Sequence, residues 1–523
     1  MAPFAINFAL LSYTLCRVLC VFSLSIPGIM RKSIPYHCFL SCLLLGFLML
    51  SVRPSWARQE MEAPIPITTK SGEARQYYKQ ARAHMGNMQQ NKAAQALDKA
   101  LQLDPDFSMA HLLRAQVSGP DPENFLEHYN KAIALKSNAS EGEQLMISVM
   151  QASVENRSEE AMRHLTTLAE RFPNDKYVHL LNGQFALNNN DADKAILHLG
   201  KAVALDSHFG DAYNLLGYAY TQKEDFGKAE EAFRNYIKAS PKEANPYDSM
   251  GDLLTKRGKH QEAIQNYKKA AALDPGFNVS LTKIGHNYLF MGQLDESRKA
   301  YQYAESKAPL YTEKADNIMA LAESYLWEGR YKEAILATDR GIKLLQQHHS
   351  TYYLIWAYLQ QAQIYTQMND LPKAKASLAQ LIPLQNREEL IPYQKANLQL
   401  RQLFVEALMA AKAKDYAQAT AKAGEFKAKV EATPNAGQMQ EYHKLMGIIA
   451  YQQENPKDAL THLAQADQNS PRVLYYQSLA EAKVGNTEKA AQLAKKLNSL
   501  NEPSSEYALV KASMAKTKLA SNK

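Results

Sequence analysis

Cysteine is nearly absent from this chain of 523 residues, and the few cysteines are confined to one end. All four lie within the first 42 residues, at Cys16, Cys20, Cys38 and Cys42. The rest of the sequence can therefore form no disulfide and offers no thiol chemistry. A cysteine-free chain suits an oxidising compartment such as the periplasm, without requiring one.

Sequence motifs of the common enzyme classes are missing as well. The chain contains no G-x-S-x-G, no H-E-x-x-H, no phosphate-binding loop and no dinucleotide-binding fingerprint. Together with the lack of cysteine, these absences predict a protein that is not an enzyme and that uses no cofactor.

Excess positive charge is also missing once the N-terminal segment is set aside. The formal net charge of +7 includes four basic residues in residues 1–57, a segment without acidic residues: Arg17, Arg31, Lys32 and Arg53. Without these four, 56 basic residues stand against 53 acidic ones, a net charge of +3. Nucleic-acid binding needs a clustered basic face, and the sequence shows none, so no nucleic-acid partner is expected.

The sequence does contain an internal repeat. Alanine, valine or glycine recurs every 34 positions over seven units, at Ala81, Ala115, Val149, Gly183, Gly217, Gly251 and Gly285. Prolines fall on a second grid of the same period or its double, at Pro105, Pro173, Pro241, Pro275 and Pro309. A fixed period in this range is the signature of a stacked repeat array, whose usual product is a binding surface rather than a reaction.

One unit, residues 210–243, shows how each repeat is built. Apolar and small residues spaced 3, 1 and 3 apart form one stripe on each of two predicted helices, at Tyr213, Leu216, Gly217 and Tyr220, then at Ala229, Ala232, Phe233 and Tyr236. Residues 223–227 form a polar turn, and Pro241 ends the second helix because it lacks an amide hydrogen. Gly217 and Ala229 are expected where the two helices approach most closely.

These positions resemble the tetratricopeptide repeat (TPR) family, whose pattern has an aromatic residue, Leu-Gly, Tyr, Ala, Phe, Ala and Pro at set offsets. The unit 210–243 carries the pattern at Tyr213, Leu216, Gly217, Tyr220, Ala229, Phe233, Tyr236 and Pro241. The resemblance implies an all-α fold, a right-handed α-solenoid of helix-turn-helix units whose first helices line a concave groove. It is weak over 108–141, where Glu127 replaces the small residue.

The regular register ends after Pro309, but a pair of small residues twelve positions apart persists. It recurs at Ala322/Ala334, Ala362/Ala374, Ala407/Ala419 and Gly447/Ala459, and more faintly at Ser478/Ala490. We therefore expect about twelve units, of which seven in register cover residues 74–311 and about five less regular ones cover 312–500. Residues 58–73 are assigned to a linker and 501–523 to a C-terminal tail.

The N-terminal residues are predicted to direct export from a bacterial cell. Residues 30–57 combine a positive start, a short apolar run and small residues before Arg58, which is typical of a secretory signal peptide cleaved after Ala57. Residues 1–29 are interpreted as upstream sequence before a true start at Met30. The alternative is an uncleaved anchor that starts at Met1, because residues 4–29 are long enough to span a membrane. The mature protein is expected in the periplasm or outside the cell.

The histidines are interpreted as structural. His111 and His179 hold the first core position of their units, which Tyr213 holds in unit 210–243, so both are expected in the packed core. His348 and His349 are adjacent in a predicted connection, where side chains diverge, so no metal site is expected there.

The resemblance also predicts which side chains face the groove. The candidate partner-binding residues are Tyr177, Leu180, Gln184, Leu187, Asp211, Asn214, Tyr218, Asp248, Asp252, His286 and Glu323. The earlier ones form an apolar and aromatic patch, and the carboxylates give the middle of the groove a negative charge. Apolar anchors would supply affinity and carboxylates orientation for an extended or helical segment of basic character. The alternative is that these positions are solvated and bind nothing.

Three functions are consistent with the sequence. The first is a non-catalytic scaffold that binds a partner protein or peptide in the groove. The second is an adaptor in an envelope export or assembly machinery. The third, disfavoured by the missing motifs, is an enzyme with a site among groove residues such as Asp248, Asp252 and His286. A clamp for chaperone tails is not expected, because the groove lacks the lysine and asparagines of that subtype.

Overall fold

The computed structural model describes residues 63–119, 121–432 and 436–516, and these ranges contain helices and no strand. The predicted signal peptide, the upstream segment and the cleavage position after Ala57 lie outside the described residues. Twenty-four helices form twelve consecutive hairpins: α1 (Gly72–Gly86) with α2 (Gln90–Leu103), α3 (Ser108–Gln116) with α4 (Pro122–Ala134), α5 (Glu141–Val154) with α6 (Ser158–Arg171), α7 (Lys176–Asn188) with α8 (Ala192–Leu205), α9 (Gly210–Gln222) with α10 (Phe226–Ala239), α11 (Asn245–Lys256) with α12 (His260–Leu273), α13 (Asn278–Phe290) with α14 (Leu294–Lys307), α15 (Tyr311–Leu326) with α16 (Tyr331–Gln347), α17 (Thr351–Met368) with α18 (Leu371–Ala379), α20 (Pro392–Lys412) with α21 (Tyr416–Ala432), α22 (Ala436–Gln452) with α23 (Pro456–Leu463), and α24 (Pro471–Lys483) with α25 (Thr487–Asn498).

The remaining helical segments lie between or after the hairpins. They are a 3₁₀ turn at Lys136–Asn138, the four-residue helix α19 (Ile382–Gln385) and the last helix α26 (Ser505–Lys516). Each hairpin packs against the hairpins before and after it in sequence. The prediction of an all-α solenoid of about twelve helix-turn-helix units is therefore confirmed.

The glycine grid is explained by rings from the second helix of the same hairpin. A Cβ atom on Gly217 would lie 2.4 Å from the ring of Phe233, and one on Gly251 would lie 2.6 Å from the ring of Tyr267. The sequence predicted that Gly217 faces Ala229, which is indeed fully buried. The group that requires glycine, however, is the ring sixteen residues further on, because only a residue without Cβ leaves room for it.

The turn inside each regular hairpin has its own 34-residue register. One residue in each turn adopts a left-handed backbone, at Asn156, Asn190, Glu224, Gly258 and Gly292, with φ between 59° and 73°. In the unit 210–243 this residue is Glu224, whereas Gly227 lies inside α10. The turn is therefore fixed by its position in the repeat, and it accepts glutamate where neighbouring repeats use asparagine or glycine.

His111 and His179 are buried as predicted, with 3% and 1% of their surface exposed. The Nε2–H of His111 donates to the carbonyl oxygen of Pro105 (2.9 Å), and its Nδ1 lies 2.9 Å from Nδ1 of His128. Because a carbonyl oxygen only accepts, neutral His111 carries its proton on Nε2, and the Nδ1–H of His128 donates to His111. His179 and His198 repeat this arrangement at 3.2 Å, beside Pro173.

These histidine pairs predict that acid weakens the fold. Burial, followed by repulsion from the partner histidine, lowers the pKa of His128 and of His198 to about 4, against about 6.5 in an unfolded chain. Since the unfolded state binds more protons between these values, stability is lost as the pH falls from 6.5 towards 4, by up to about 1.4 kcal/mol per pH unit for each proton.

We expect the double variant H128F/H198F to lose less stability than the natural chain when urea melts at pH 7.5 and 5 are compared. The exposed His208 supplies the control, since H208F should leave the pH dependence unchanged. An unchanged pH dependence in the double variant would show that other groups govern the acid response.

Residues 63–71, within the segment assigned to a linker, are bound along the first hairpins as an extended arm. The backbone N–H of Ile65 donates to Asp175 (2.8 Å), that of Thr68 to Glu143 (2.9 Å) and that of Lys70 to Asp104 (2.8 Å). These acceptors lie just before α7, in α5 and at the end of α2, so the arm reaches from the fourth hairpin to the first. The segment predicted as a linker is therefore, from residue 63 onward, a part of the folded array.

The segment assigned to a C-terminal tail contains the buried helix α26. The ring of Tyr507 is fully buried, packs edge-on against Trp327 at 4.8 Å, and its hydroxyl donates to the carbonyl oxygen of Leu497 (2.7 Å). The helix packs against α15, α17 and α24. Tyr507, Val510 and Met514 form the stripe that drives this packing, because residues three and four apart share one helix face.

Candidate functional site

The first helices of five hairpins, α1, α3, α5, α7 and α9, converge on a cavity of about 490 Å³, which we name the first cavity. Its wall is mainly apolar and includes Met85, Met109, Met146, Met150 and Leu180. Methionine side chains are flexible and polarisable, so this wall can adapt to apolar groups of different shapes.

Five of the predicted groove residues line the first cavity: Tyr177, Leu180, Gln184, Asp211 and Asn214. The structure therefore brings together the apolar patch and the first carboxylate of the predicted groove. Leu187 does not line this cavity; it is half-buried and packs against the same apolar cluster as Tyr177 and Leu180.

Asn214 and Asp211 place two hydrogen-bond acceptors in the wall of the first cavity. The Oδ1 atom of Asn214 is buried and has no partner within the described ranges. The carboxylate of Asp211 lies against Gly86, where a Cβ atom would collide with it. Burial raises the pKa of Asp211 to about 6, against the opposing charge of Arg82. A bound group that donates hydrogen bonds would therefore find the unpartnered Oδ1 of Asn214 and the half-buried carboxylate of Asp211 in one wall.

Contacts between distant hairpins close one side of the first cavity. The hydroxyl of Tyr236 donates to the carbonyl oxygen of Gly86 (3.0 Å), and Nε2 of Gln89 donates to Glu243 (2.6 Å). Both bonds join the end of α1 to residues about 150 positions away. The first hairpin thus touches the fifth, and the cavity is walled on the side where α1 and α9 meet.

Three more of the predicted groove residues line a second cavity, of about 640 Å³, between α9, α11, α13 and α15. Tyr218, Asp252 and His286 line it, as do residues 501–503. Nδ1 of His286 lies 2.7 Å from the hydroxyl of Tyr301. Burial and the charge of Lys283 lower the pKa of His286 to about 3, so this ring is neutral and forms part of the wall.

The carboxylates in the middle of the groove are neutralised by a lysine that sequence reasoning missed. Nζ of Lys283 lies 2.5 Å from Asp248 and 2.8 Å from Asp252. The hydroxyls of Tyr218 and Tyr267 also donate to Asp252, at 2.7 and 2.8 Å. Asp248 was expected to face a partner, but only 3% of it is exposed, because it is held by Lys283 below the groove surface.

Lys283 has a signal in the sequence that could have revealed it. Asp248 and Asp252 are one helical turn apart, and Lys283 follows them by 35 and 31 residues, close to one repeat. In a stacked array a residue one repeat further on lies beside its counterpart. Opposite charges at such a spacing therefore predict an ion pair between neighbouring hairpins.

The last predicted groove residue, Glu323, is engaged by the chain itself. Its carboxylate accepts hydrogen bonds from Ser505 of α26 and from Gln360 (3.2 Å). Burial raises the pKa of Glu323 to about 7. Glu323 therefore serves to hold α26 in place, which differs from the expected contact with a partner.

Neither a metal centre nor a membrane-spanning helix is found in the described ranges. Across them, no three histidine, cysteine, aspartate or glutamate side chains are grouped so as to hold a metal ion. No helix there combines the length and the apolar character needed to cross a membrane.

The stacked hairpins and the cavities lined by their first helices define a helical-repeat protein. The match to known families is specific within this class: models described as tetratricopeptide repeat match residues 180–244 and 244–277. Residues 180–277 therefore match tetratricopeptide repeats, in agreement with the resemblance seen in the sequence pattern.

Similar proteins share only part of their length with this chain. It is 32% identical over 88 residues to Protein bimA of Emericella nidulans, which covers 17% of this chain and 11% of that protein. It is 25% identical over 134 residues to the Hsp70-Hsp90 organizing protein of Triticum aestivum, covering 26% of this chain and 23% of that protein. Among solved structures it is similar to MamA, with 26% identity and a TM-score of 0.27 over 30% of this chain and 93% of that chain.

Proposed function

We propose that this chain is a non-catalytic scaffold for protein–protein interaction that binds a segment of a partner protein in the first cavity. The observation that carries the proposal is the pair of acceptors Asp211 and Asn214, of which Oδ1 of Asn214 is buried without a partner among the described residues, in a wall rich in methionine and leucine. A wall of this kind suits an apolar side chain, and the acceptors suit a neighbouring donor.

The chemistry of the first cavity specifies the segment further. A lysine or arginine beside an apolar residue would place its charge against Asp211 and its apolar neighbour against the methionines. The guanidinium of Arg82 stacks on the ring of Tyr177, with Cζ 3.0 Å from the ring centre, and both side chains line the first cavity. A similar protein is named as an organizing protein for Hsp70 and Hsp90, which supports a protein as the partner.

The proposed location is the periplasm or the exterior of a bacterial cell, with the signal peptide removed after Ala57. The leader pattern of residues 30–57 and the absence of cysteine beyond Cys42 support this location. N-terminal sequencing of the protein isolated from its host tests it, and a first residue other than Arg58 would contradict the proposed cleavage.

We expect the full chain to select, from a displayed library of random peptides, sequences that join an aromatic or aliphatic residue to lysine or arginine. The variant D211N keeps the shape of the side chain and removes its charge. It should weaken the selected peptides about tenfold in fluorescence anisotropy, because a charge-assisted hydrogen bond is lost.

The matched control removes a carboxylate of the same type from an open surface. The side chain of Asp295 is 89% exposed, so D295N should bind the selected peptides as the natural chain does. If no peptide is enriched, or if D211N and D295N bind equally well, the first cavity is not the partner site.

A further inference from the structure

A third cavity, of about 490 Å³, lies between α17, α20, α22, α24 and α26, away from the predicted groove residues. Its polar wall carries three cationic side chains, Lys412, Lys414 and Arg472. No aspartate or glutamate lines it within the described part of the chain, whereas Asp252, Glu313 and Asp316 all line the second cavity. The charged side chains lining the third cavity are thus all cationic among the described residues, whereas the second cavity combines carboxylates with Lys256 and Lys283.

The carboxylate of Glu506 interacts with Arg472 of this wall but is shared with a second cation, Lys444. Glu506 accepts hydrogen bonds from Nζ of Lys444 (3.0 Å) and from the hydroxyl of Ser470 (2.6 Å). Burial acts to raise the pKa of Glu506, but the neighbouring charges of Lys444 and Arg472 lower it overall. Glu506 therefore shares its charge between two cations, while Lys412 and Lys414 form no ion pair in the ranges described.

Arg472 is the cation buried at the wall of the third cavity. Only 8% of the residue is exposed. Its guanidinium makes one long hydrogen bond within the described residues, from Nη2 to Oε1 of Gln363 (3.4 Å). A buried guanidinium has five donors, so most of its capacity for planar, paired hydrogen bonds is unused.

Neutral donors and apolar groups complete the wall. Burial raises the pKa of Tyr451 and of Tyr476, so both hydroxyls stay protonated at neutral pH. Their rings pack edge to face at 5.5 Å, and Leu408 and Leu479 line the same space. The cavity therefore combines cationic donors with an apolar and aromatic body.

We propose that the third cavity binds a small organic acid, that is, a carboxylate carried on an apolar or aromatic body. A carboxylate matches the planar fork of Arg472 with two parallel hydrogen bonds. Lys412 and Lys414, exposed at the mouth, attract the anion, and the tyrosine and leucine side chains hold its body. The volume lies in the range of small-molecule sites. This site is independent of the partner groove.

Isothermal titration calorimetry of the full chain with 3-phenylpropionate tests the proposal. We expect saturable binding of one molecule per chain and none of 3-phenylpropanol, which has the same body without the charge. R472K keeps the positive charge facing Glu506 but loses the planar guanidinium that can donate two parallel hydrogen bonds. K412Q/K414Q removes the positive charge at the opening of the third cavity. Each should weaken binding about fivefold or more.

The matched control removes two exposed lysines that line none of the three cavities described above, Lys343 and Lys457. K343Q/K457Q should bind 3-phenylpropionate as the natural chain does. The proposal would be overturned if 3-phenylpropionate gave no heat of binding, or if 3-phenylpropanol bound equally well. It would also be overturned if K343Q/K457Q weakened binding as much as K412Q/K414Q does, or if inorganic phosphate bound more tightly than 3-phenylpropionate. Tighter binding of a peptide that ends in a free phenylalanine carboxylate would overturn the small-molecule source and assign the site to a chain terminus.

Discussion

Replacing Lys283 with methionine is expected to lower the free energy of unfolding by about 3 kcal/mol at pH 7, because it leaves the buried carboxylate of Asp248 beside the half-buried one of Asp252 without a cation. Burial already raises the pKa of Asp248, and the charge of Lys283 is the largest effect opposing that rise. Urea melts of the full chain measure the loss directly.

The free energy of unfolding of K283M should also depend on pH, in a direction that follows from the raised pKa of the buried carboxyl. A carboxyl whose pKa is higher in the folded state than in the unfolded state contributes stability that is present at low pH and is lost as the pH rises. Part of the stability of K283M should therefore return between pH 7 and pH 5. K299M removes an exposed lysine from the neighbouring helix and should change little. Equal melts for K283M and K299M would show that the buried network does not stabilise the array.

The second large effect is expected from Gly217→Leu, which places a branched side chain where the ring of Phe233 already lies. The two helices of the hairpin α9 and α10 must separate, since an overpacked core costs about 1–3 kcal/mol or more. Because hairpins are coupled chiefly through their neighbours, the array should then unfold in two steps instead of one. Calorimetry of the full chain resolves the two transitions.

Gly200 offers a matched control, since a Cβ atom there meets nothing within 4 Å. Gly200→Ala should raise stability by about 0.5–1 kcal/mol, because glycine in a helix interior is less favourable than alanine. A single sharp transition for Gly217→Leu, at the temperature of the natural chain, would contradict the packing of Phe233 on this glycine.

The hairpins were predictable from the sequence because the residues that determine each helix lie close together in the chain. The spacing of Tyr213, Leu216 and Tyr220 reports one helix face, and the 34-residue period reports how often that face recurs. The requirement for glycine at Gly217 was also recognised, although its partner proved to be Phe233 rather than Ala229.

The long-range contacts were not predictable in the same way. The approach of Gly86 to Asp211, and of Glu323 to Ser505, depends on small rotations that add up over several hairpins. No spacing within one unit reports that sum. For the same reason, the sequence did not show that the predicted groove residues line two separate cavities. It also did not show which carboxylates are held by other side chains, as Asp248 is by Lys283.

The helix α26 gives the second half of the array a mechanical property that a simple stack of hairpins lacks. By packing against α15, α17 and α24 at once, it bridges the eighth, ninth and twelfth hairpins. A force that stretches this region must shear α26 away from all three helices before the hairpins between them can extend. Under tension, the hairpins bridged by α26 should therefore unfold together in one abrupt step. The hairpins outside this region should unfold one at a time.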